Sequence, residues 1–230
     1  DRVARLSPPQ SRGWRVYADF LLGAGHTDIA VATQPGVYWA SGVRVLRDRL
    51  ASGGGTVVEV DVREQDPTAV CDALVEHRAT ALLLLIGSPE PAVSIVRAVR
   101  RDPRLAGILV GAPAGQPEFV SWGKLLGGDG AGIPFLRYLP GKPSPLGARV
   151  EAGLRARLDQ PPSFVGYEGY DTVAVLAEVL RKHGTDRARI AEAWPGVAVE
   201  GTRGRIGHRW IGGSSTVLLT VVAGPLNYFG

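Results

Sequence analysis

The sequence predicts an α/β fold built on a parallel sheet, and three features of the chain carry that prediction. A strand-then-helix unit recurs from Asp28 to about Pro140, with strands beginning near Asp28, Thr56, Thr80, Gly107 and Gly132. The strands are apolar at nearly every position, which is how strands covered on both faces read. The segments between them place apolar residues at helical spacing, so each offers one stripe to a sheet. Alternation of this kind builds layers of helices on a sheet.

Taken in order, the strands are IAVAT at 29–33, VVEVDV at 57–62, ALLLLIG at 81–87, GILVGA at 107–112 and IPFLRYL at 133–139. Val43, Leu46 and Leu50 mark the helix after the first strand. Val70, Leu74 and Val75 mark the second, and Ala92, Ile95, Val96 and Val99 the third. Pro67 and Pro89 stand at helix starts, where a missing amide proton costs nothing, and Gly53 to Gly55 follow the helix ending at Leu50. From Ala112 to Gly132 the chain turns rich in Gly and Pro and reads as a crossing segment, with a short helix at Glu118 to Leu126. Helices are predicted at Leu146 to Leu158, Tyr167 to His183 and Asp186 to Trp194, with Gly184 stopping the longest. A strand-like TVLLTVV occupies 216–222.

The 230 residues suffice for one large or two small domains. The net charge of +4 comes mainly from Arg scattered over helix faces, such as Arg44, Arg47, Arg49, Arg97, Arg100, Arg101, Arg155 and Arg157. No basic stripe is interleaved with aromatic residues, which argues against a nucleic-acid partner. Cys71 is the only cysteine, so no internal disulfide forms, and its place beside Val70 and Leu74 reads as a buried thiol. No apolar run is long enough to span a bilayer as a helix. A chain beginning at Asp1 without Met reads as a mature form or one from which a leader has been removed.

Catalytic patterns are lacking. There is no G-x-S-x-G elbow and no G-x-x-x-x-G-K-[ST] loop, and GGDGAG at 127–132 precedes a strand instead of following one. His26, His77, His183 and His208 show no metal-ligand spacing, and the first three fall near helix C-termini, where a cation is favourable. Neither a metal nor a cofactor is expected. Glu59 and Asp61 share one side of a strand but lie away from its loop rim.

Ligands of an open parallel sheet sit beyond the carboxyl ends of its strands, where loops converge and helix N-termini point their amides. The loops so placed are Gln34 to Ser41, Arg63 to Pro67, Gly87 to Glu90 and Ala112 to Glu118. QPGVYWAS offers Gln34 as amide donor and acceptor, Ser41 as a hydroxyl, and Tyr38 and Trp39 as a wall for an apolar group. Gly87 and Ser88 offer a backbone amide and a hydroxyl. Each has a competing structural reading: the aromatic pair caps the sheet edge, and Gly87 and Ser88 form a plain turn into Pro89. Asp66 and Glu64 read either as acids facing a ligand ammonium or, for Asp66, as a helix N-cap, and the cap is preferred.

The order of segments, with particular residues, resembles the type I periplasmic solute-binding proteins of branched-chain amino acid uptake. RLSPPQS at Arg5 to Ser11 resembles that family's crossing between lobes, and IAVATQPGVYWASGVRVLRDRL its strand, loop and helix. VVEVDVREQDPTAVCDALVEHRATALLLLIGSPEPAVSIVRAVR is similar to its second strand, Asp-containing loop and Gly-Ser loop. GYEGYDTVAVLAEVL resembles its Tyr-Asp-Ala helix, and VEGTRGRIG its Gly-x-x-Gly segment, so the likeness runs to about Gly207. IGHRWIGG stands where the family often has Phe-Asp-x-x-Gly.

The resemblance implies a type I periplasmic-binding-protein-like fold with an incomplete second lobe, lacking a first half-lobe of roughly a hundred residues. It implies a ligand-binding lobe at 1–112, part of a second lobe at 113–200 and return strands to the first lobe at 201–230. It places Tyr170 and Asp171 close to a helix start at the cleft, where Tyr170 contacts ligand and Asp171 either faces the hinge or offsets the helix dipole. The function implied is non-catalytic binding of a small amino-acid-like or amide ligand for an ABC uptake system, outside the cytoplasm, with a membrane permease as partner. A ligand sensor of the same fold with a regulatory partner, cytoplasmic in that case, and an α/β enzyme of unrecognised family are the alternatives.

Overall fold

In the computed structural model, residues 6, 9–62, 66–138, 143–193, 196–207, 210–211 and 214–215 are described. Helix α1 (Gln10–Gly23) leads into strand β1 (Asp28–Thr33), helix α2 (Val37–Ala51), strand β2 (Thr56–Asp61) and helix α3 (Pro67–Glu76). Strand β3 (Ala81–Leu85), helix α4 (Pro89–Arg101), strand β4 (Leu109–Gly111) and helix α5 (Val120–Leu126) follow. These elements form one unit, residues 9–137.

The four strands make one parallel sheet in the order β2-β1-β3-β4. β3 is buried at every position and β1 over its middle, because each has a strand on both sides and helices on both faces, whereas β2 lies at an edge and is largely exposed. Side chains alternate between faces. Ala30, Ala32, Leu82, Leu84 and Val110 share one core with Val70, Cys71 and Leu74 of α3, Val96 and Val99 of α4 and Trp122 of α5. Leu83 and Leu85 point the other way, toward Tyr17 and Trp14 of α1. Burial pushes the Cys71 thiol pKa up, in keeping with an unreactive core cysteine.

Local signals work as expected. Asp66 accepts a hydrogen bond from the Thr68 amide at 3.0 Å and so caps α3, with Pro67 in its first turn, and Pro89 opens α4 in the same way. The expected fifth strand, IPFLRYL, does not form over its described residues: it is reduced to a single parallel bridge between Ala112 and Phe135. Pro134 has no amide proton for a ladder, and its carbonyl instead accepts the Ala112 amide at 2.7 Å and the Tyr17 hydroxyl at 2.8 Å. Burial raises the Tyr17 pKa strongly, so this hydroxyl stays a donor. The TVLLTVV segment, Glu64 and His208 lie outside the described residues.

The second unit, from Tyr138 on, holds helices α6 (Pro145–Arg155), α7 (Phe164–His183) and α8 (Arg187–Ala193) and the antiparallel pair β5 (Ala198–Gly201) and β6 (Gly204–Gly207). Short strands Trp210–Ile211 and Ser214–Ser215 also pair. Helix α7 starts three residues earlier than its spacing suggests, at Phe164, whose ring stacks on Tyr138 at 4.7 Å.

Candidate binding site at the sheet switch point

β1 and β3 are neighbours in the sheet, yet β2 lies outside β1 and β4 outside β3, so the chain leaves the pair in opposite directions. Such a reversal opens a crevice at the carboxyl ends of the two strands. Gln34 follows β1 there, and Gly87 and Ser88 follow β3. The Gln34 carboxamide joins them: its Oε1 accepts from the Gly87 amide at 3.0 Å and its Nε2 donates to Ser88 Oγ at 3.2 Å. The Gln34 amide donates to Leu85 O at 3.2 Å, continuing the strand pairing by one residue.

Tyr38, Trp39 and Ser41 are not loop residues. The loop is only Gln34 to Gly36, and α2 begins at Val37, so these three occupy its opening turns. Gly36 makes that abrupt start possible, since its φ of 149° is one that side-chain-bearing residues rarely adopt. Trp39 lies against the Gly87 backbone, its ring 3.6 Å from where a Gly87 Cβ would be. The Tyr38 ring meets Trp39 edge-on at 4.7 Å and Trp14 at 5.3 Å, and is 48% exposed, so the aromatic cluster presents one open face. Ser41 donates to the Tyr38 carbonyl at 2.6 Å, one turn back in its own helix, so its hydroxyl is engaged locally.

Two helix N-termini meet at the crevice without side-chain caps: Gly36 has none to give α2, and Ser88 makes no capping bond to α4. The first-turn amides of α2 therefore favour a negatively charged or carbonyl group, whereas α4 opens with Pro89 and Pro91, which have no amide proton, and carries Glu90 between them. Two buried polar atoms without a partner also lie beside this rim. Trp14 Nε1 belongs to the ring behind Tyr38, and Gln116 Oε1 belongs to a carboxamide whose Nε2 donates to Ile86 O at 3.2 Å. Sequence reasoning missed both residues. Trp14 sits at helical spacing with Tyr17, Ala18 and Leu21 and reads as core, while Gln116 lies in a loop that was expected at the site but carries no pattern of its own.

Tyr170 and Asp171 belong to the second unit and lie well inside α7, so Asp171 does not act on a helix terminus as expected. Its carboxylate is 1% exposed and accepts from the Thr202 amide at 2.7 Å and the Thr202 hydroxyl at 2.9 Å, with Arg203 Nε at 3.6 Å, fixing the β5–β6 turn. Tyr170 is 42% exposed on the same helix. Among the described residues no group of three His, Cys, Asp or Glu side chains is placed to hold a metal, and no helix is long and apolar enough to cross a membrane.

A family model described as periplasmic binding protein matches residues 1–216. The chain belongs to the periplasmic binding protein family. Solved structures agree on the type I fold. A leucine-binding protein from Thermotoga maritima superposes with a TM-score of 0.73 at 18% identity, over 86% of this chain and 58% of that one. A solute-binding protein of an ABC transporter from Rhodopseudomonas palustris, in complex with 3,4-dihydroxybenzoic acid, gives 0.71 at 20%, over 86% and 56%. An ABC transporter substrate-binding protein from Desulfitobacterium hafniense, in complex with Leu, gives 0.66 at 16%, over 88% and 59%. The chain thus spans less than two thirds of the length of these structures. No curated protein matches it.

Proposed function

We propose that this chain carries a ligand-binding lobe of the solute-binding component of an ABC uptake system, acting outside the cytoplasm and without catalysis. The ligand is small and amino-acid-like or amide-bearing: an apolar body lies on Tyr38 and Trp39, and a carboxylate or carbonyl faces the amides opening α2. The observation that carries this reading is the Gln34 bridge to Gly87 and Ser88 at the β1/β3 switch point, under the aromatic cluster and between two uncapped helices. Gln34 orients the two loops, and Ser41 supports the Tyr38 turn. Tyr170, 42% exposed on α7, is the ligand-contact candidate of the second unit, and we divide the chain as the resemblance implies, into the ranges 1–112, 113–200 and 201–230. Ligands named with the matched structures, leucine, 3,4-dihydroxybenzoic acid and benzoate, set the first panel to try. A membrane permease is the partner that takes the solute onward.

Thermal-shift titration with leucine, isoleucine, valine, benzoate and short-chain amides tests the proposal. A ligand held at 100 times its Kd adds about 2.7 kcal/mol of stability, enough to raise Tm by several degrees. Trp39→Ala is expected to remove the response while leaving the unliganded Tm within about 3 °C, a shift of the size that under 1 kcal/mol produces. A response of equal size in the variant excludes the α2 turn from the site, and turnover of any panel member returns the enzyme reading.

A further inference from the structure

One peptide unit just beyond β3 is held from both sides by glutamines. The unit joining Ile86 to Gly87 donates its N–H to Gln34 Oε1 at 3.0 Å, and its carbonyl accepts from Gln116 Nε2 at 3.2 Å. The N–H and C=O of a trans peptide point apart, so the two side chains take opposite edges of it. Gln34 follows β1 and Gln116 lies in the loop after β4, so each carboxamide stands on the side of the strand that precedes it. They differ in what is left over. Gln34 Nε2 goes on to Ser88 Oγ at 3.2 Å. Gln116 is 6% exposed, and among the described residues nothing donates to its Oε1. Turning the carboxamide over gives no relief, because Oε1 would then oppose the Ile86 carbonyl, acceptor against acceptor. A buried acceptor without a donor is a standing cost that a donor brought to it removes.

We infer that Gln116 Oε1 is the acceptor for a hydrogen-bond donor of the ligand and thereby sets the class of solute: one with an ammonium, amide N–H or hydroxyl as well as its carboxylate or carbonyl. This rests on the binding site proposed above and narrows its ligand. The opening turn of α2 offers donors and suits the carboxylate or carbonyl. Gln116 Oε1 offers an acceptor at the same rim and suits the donor. Glu118, in the same turn, stands 3.8 Å from Arg137, which balances its charge. Gln116 rides on a single 3-10 turn, Gln116–Glu118, that follows Gly115 without a side-chain cap, so a small opening of this turn brings Oε1 to the crevice. An analogue lacking the donor leaves the acceptor buried and empty, and sites so built reject such analogues strongly.

The test is isothermal titration calorimetry with solutes paired so that one member lacks the donor: leucine against isocaproate, phenylalanine against hydrocinnamate, and 3,4-dihydroxybenzoate against benzoate. In each pair that binds, the donor-bearing member is expected to bind at least tenfold more tightly. Gln116→Leu removes the acceptor at similar volume and is expected to bring the two members within about threefold of each other. Loss of the Ile86 contact lowers both affinities together and leaves their ratio alone, which separates ligand contact from a loop-holding role. Gln116→Glu keeps an acceptor but not the donor to Ile86, and is expected to retain the preference for the ammonium-bearing members. It decides the matter where Gln116→Leu binds neither member or does not fold. Equal affinities within every pair that binds the unaltered protein overturn this inference and leave the site proposal standing. So does a preference that Gln116→Leu preserves or that Gln116→Glu abolishes. Failure of every solute to bind overturns both.

Discussion

Gln34 and Asp171 show how one polar side chain can hold two pieces of backbone. Gln34 satisfies a Gly87 amide and a Ser88 hydroxyl at a half-open rim, where water can replace either bond, so its value is positional. Asp171 is buried, and removing it strands the Thr202 amide and hydroxyl and leaves Arg203 without that carboxylate. A buried donor without a partner costs about 1–3 kcal/mol. Asp171→Ala is therefore expected to lower unfolding stability of the second unit by about 2–4 kcal/mol in urea titration. A loss under 0.5 kcal/mol would refute the assigned role. This residue was visible in the sequence beside Tyr170, but its partner stands 31 positions away, and no spacing rule reaches that far.

At the scale of elements, the approach of α1 to α2 depends on Gly42. A Cβ there would sit 2.9 Å from the Trp14 ring and 3.1 Å from Leu85, both fully buried. The Trp14 ring cannot retreat without moving Tyr38, which it meets edge-on. Gly42→Ala gains helix propensity of up to about 1 kcal/mol and incurs overpacking of about 1–3 kcal/mol, so a net destabilisation of about 1–2 kcal/mol is expected by chemical denaturation. The Trp14–Tyr38 displacement should also appear as a changed near-ultraviolet dichroism. Unchanged stability and spectrum together would show that α1 and α2 separate freely. The helices themselves were legible from apolar spacing and from Pro67, Pro89 and Asp66. The short loop was not: a Gly at 36 permits a start at Val37, but the sequence does not say that the helix takes it. The fifth strand failed for a related reason, since apolar content predicted IPFLRYL while Pro134 removed the donor that pairing needs.

On the scale of the whole molecule, the two units differ in what they bury. The first encloses two complete helix–sheet interfaces, whereas the second buries few apolar side chains among its described residues. Stability follows buried apolar area, at about 25 cal/mol per Å². Hydrogen exchange of Asp1–Gly230 is accordingly expected to show strong protection in β1 and β3 and protection at least a hundredfold weaker in α6 and α7. Uniform protection would mean that the second unit has found its core elsewhere. The parallel α/β class, the helix faces and the family resemblance were all determined by local patterns: continuous apolar runs, 3.6-residue periodicity, caps and segment order. The sheet order, and with it the reversal between β1 and β3 that gathers Gln34, Gly87, Ser88, Tyr38 and Trp39 at one rim, was decided only in the tertiary structure. Periodicity records which face of an element is buried, while the neighbour it is buried against is set by long-range packing.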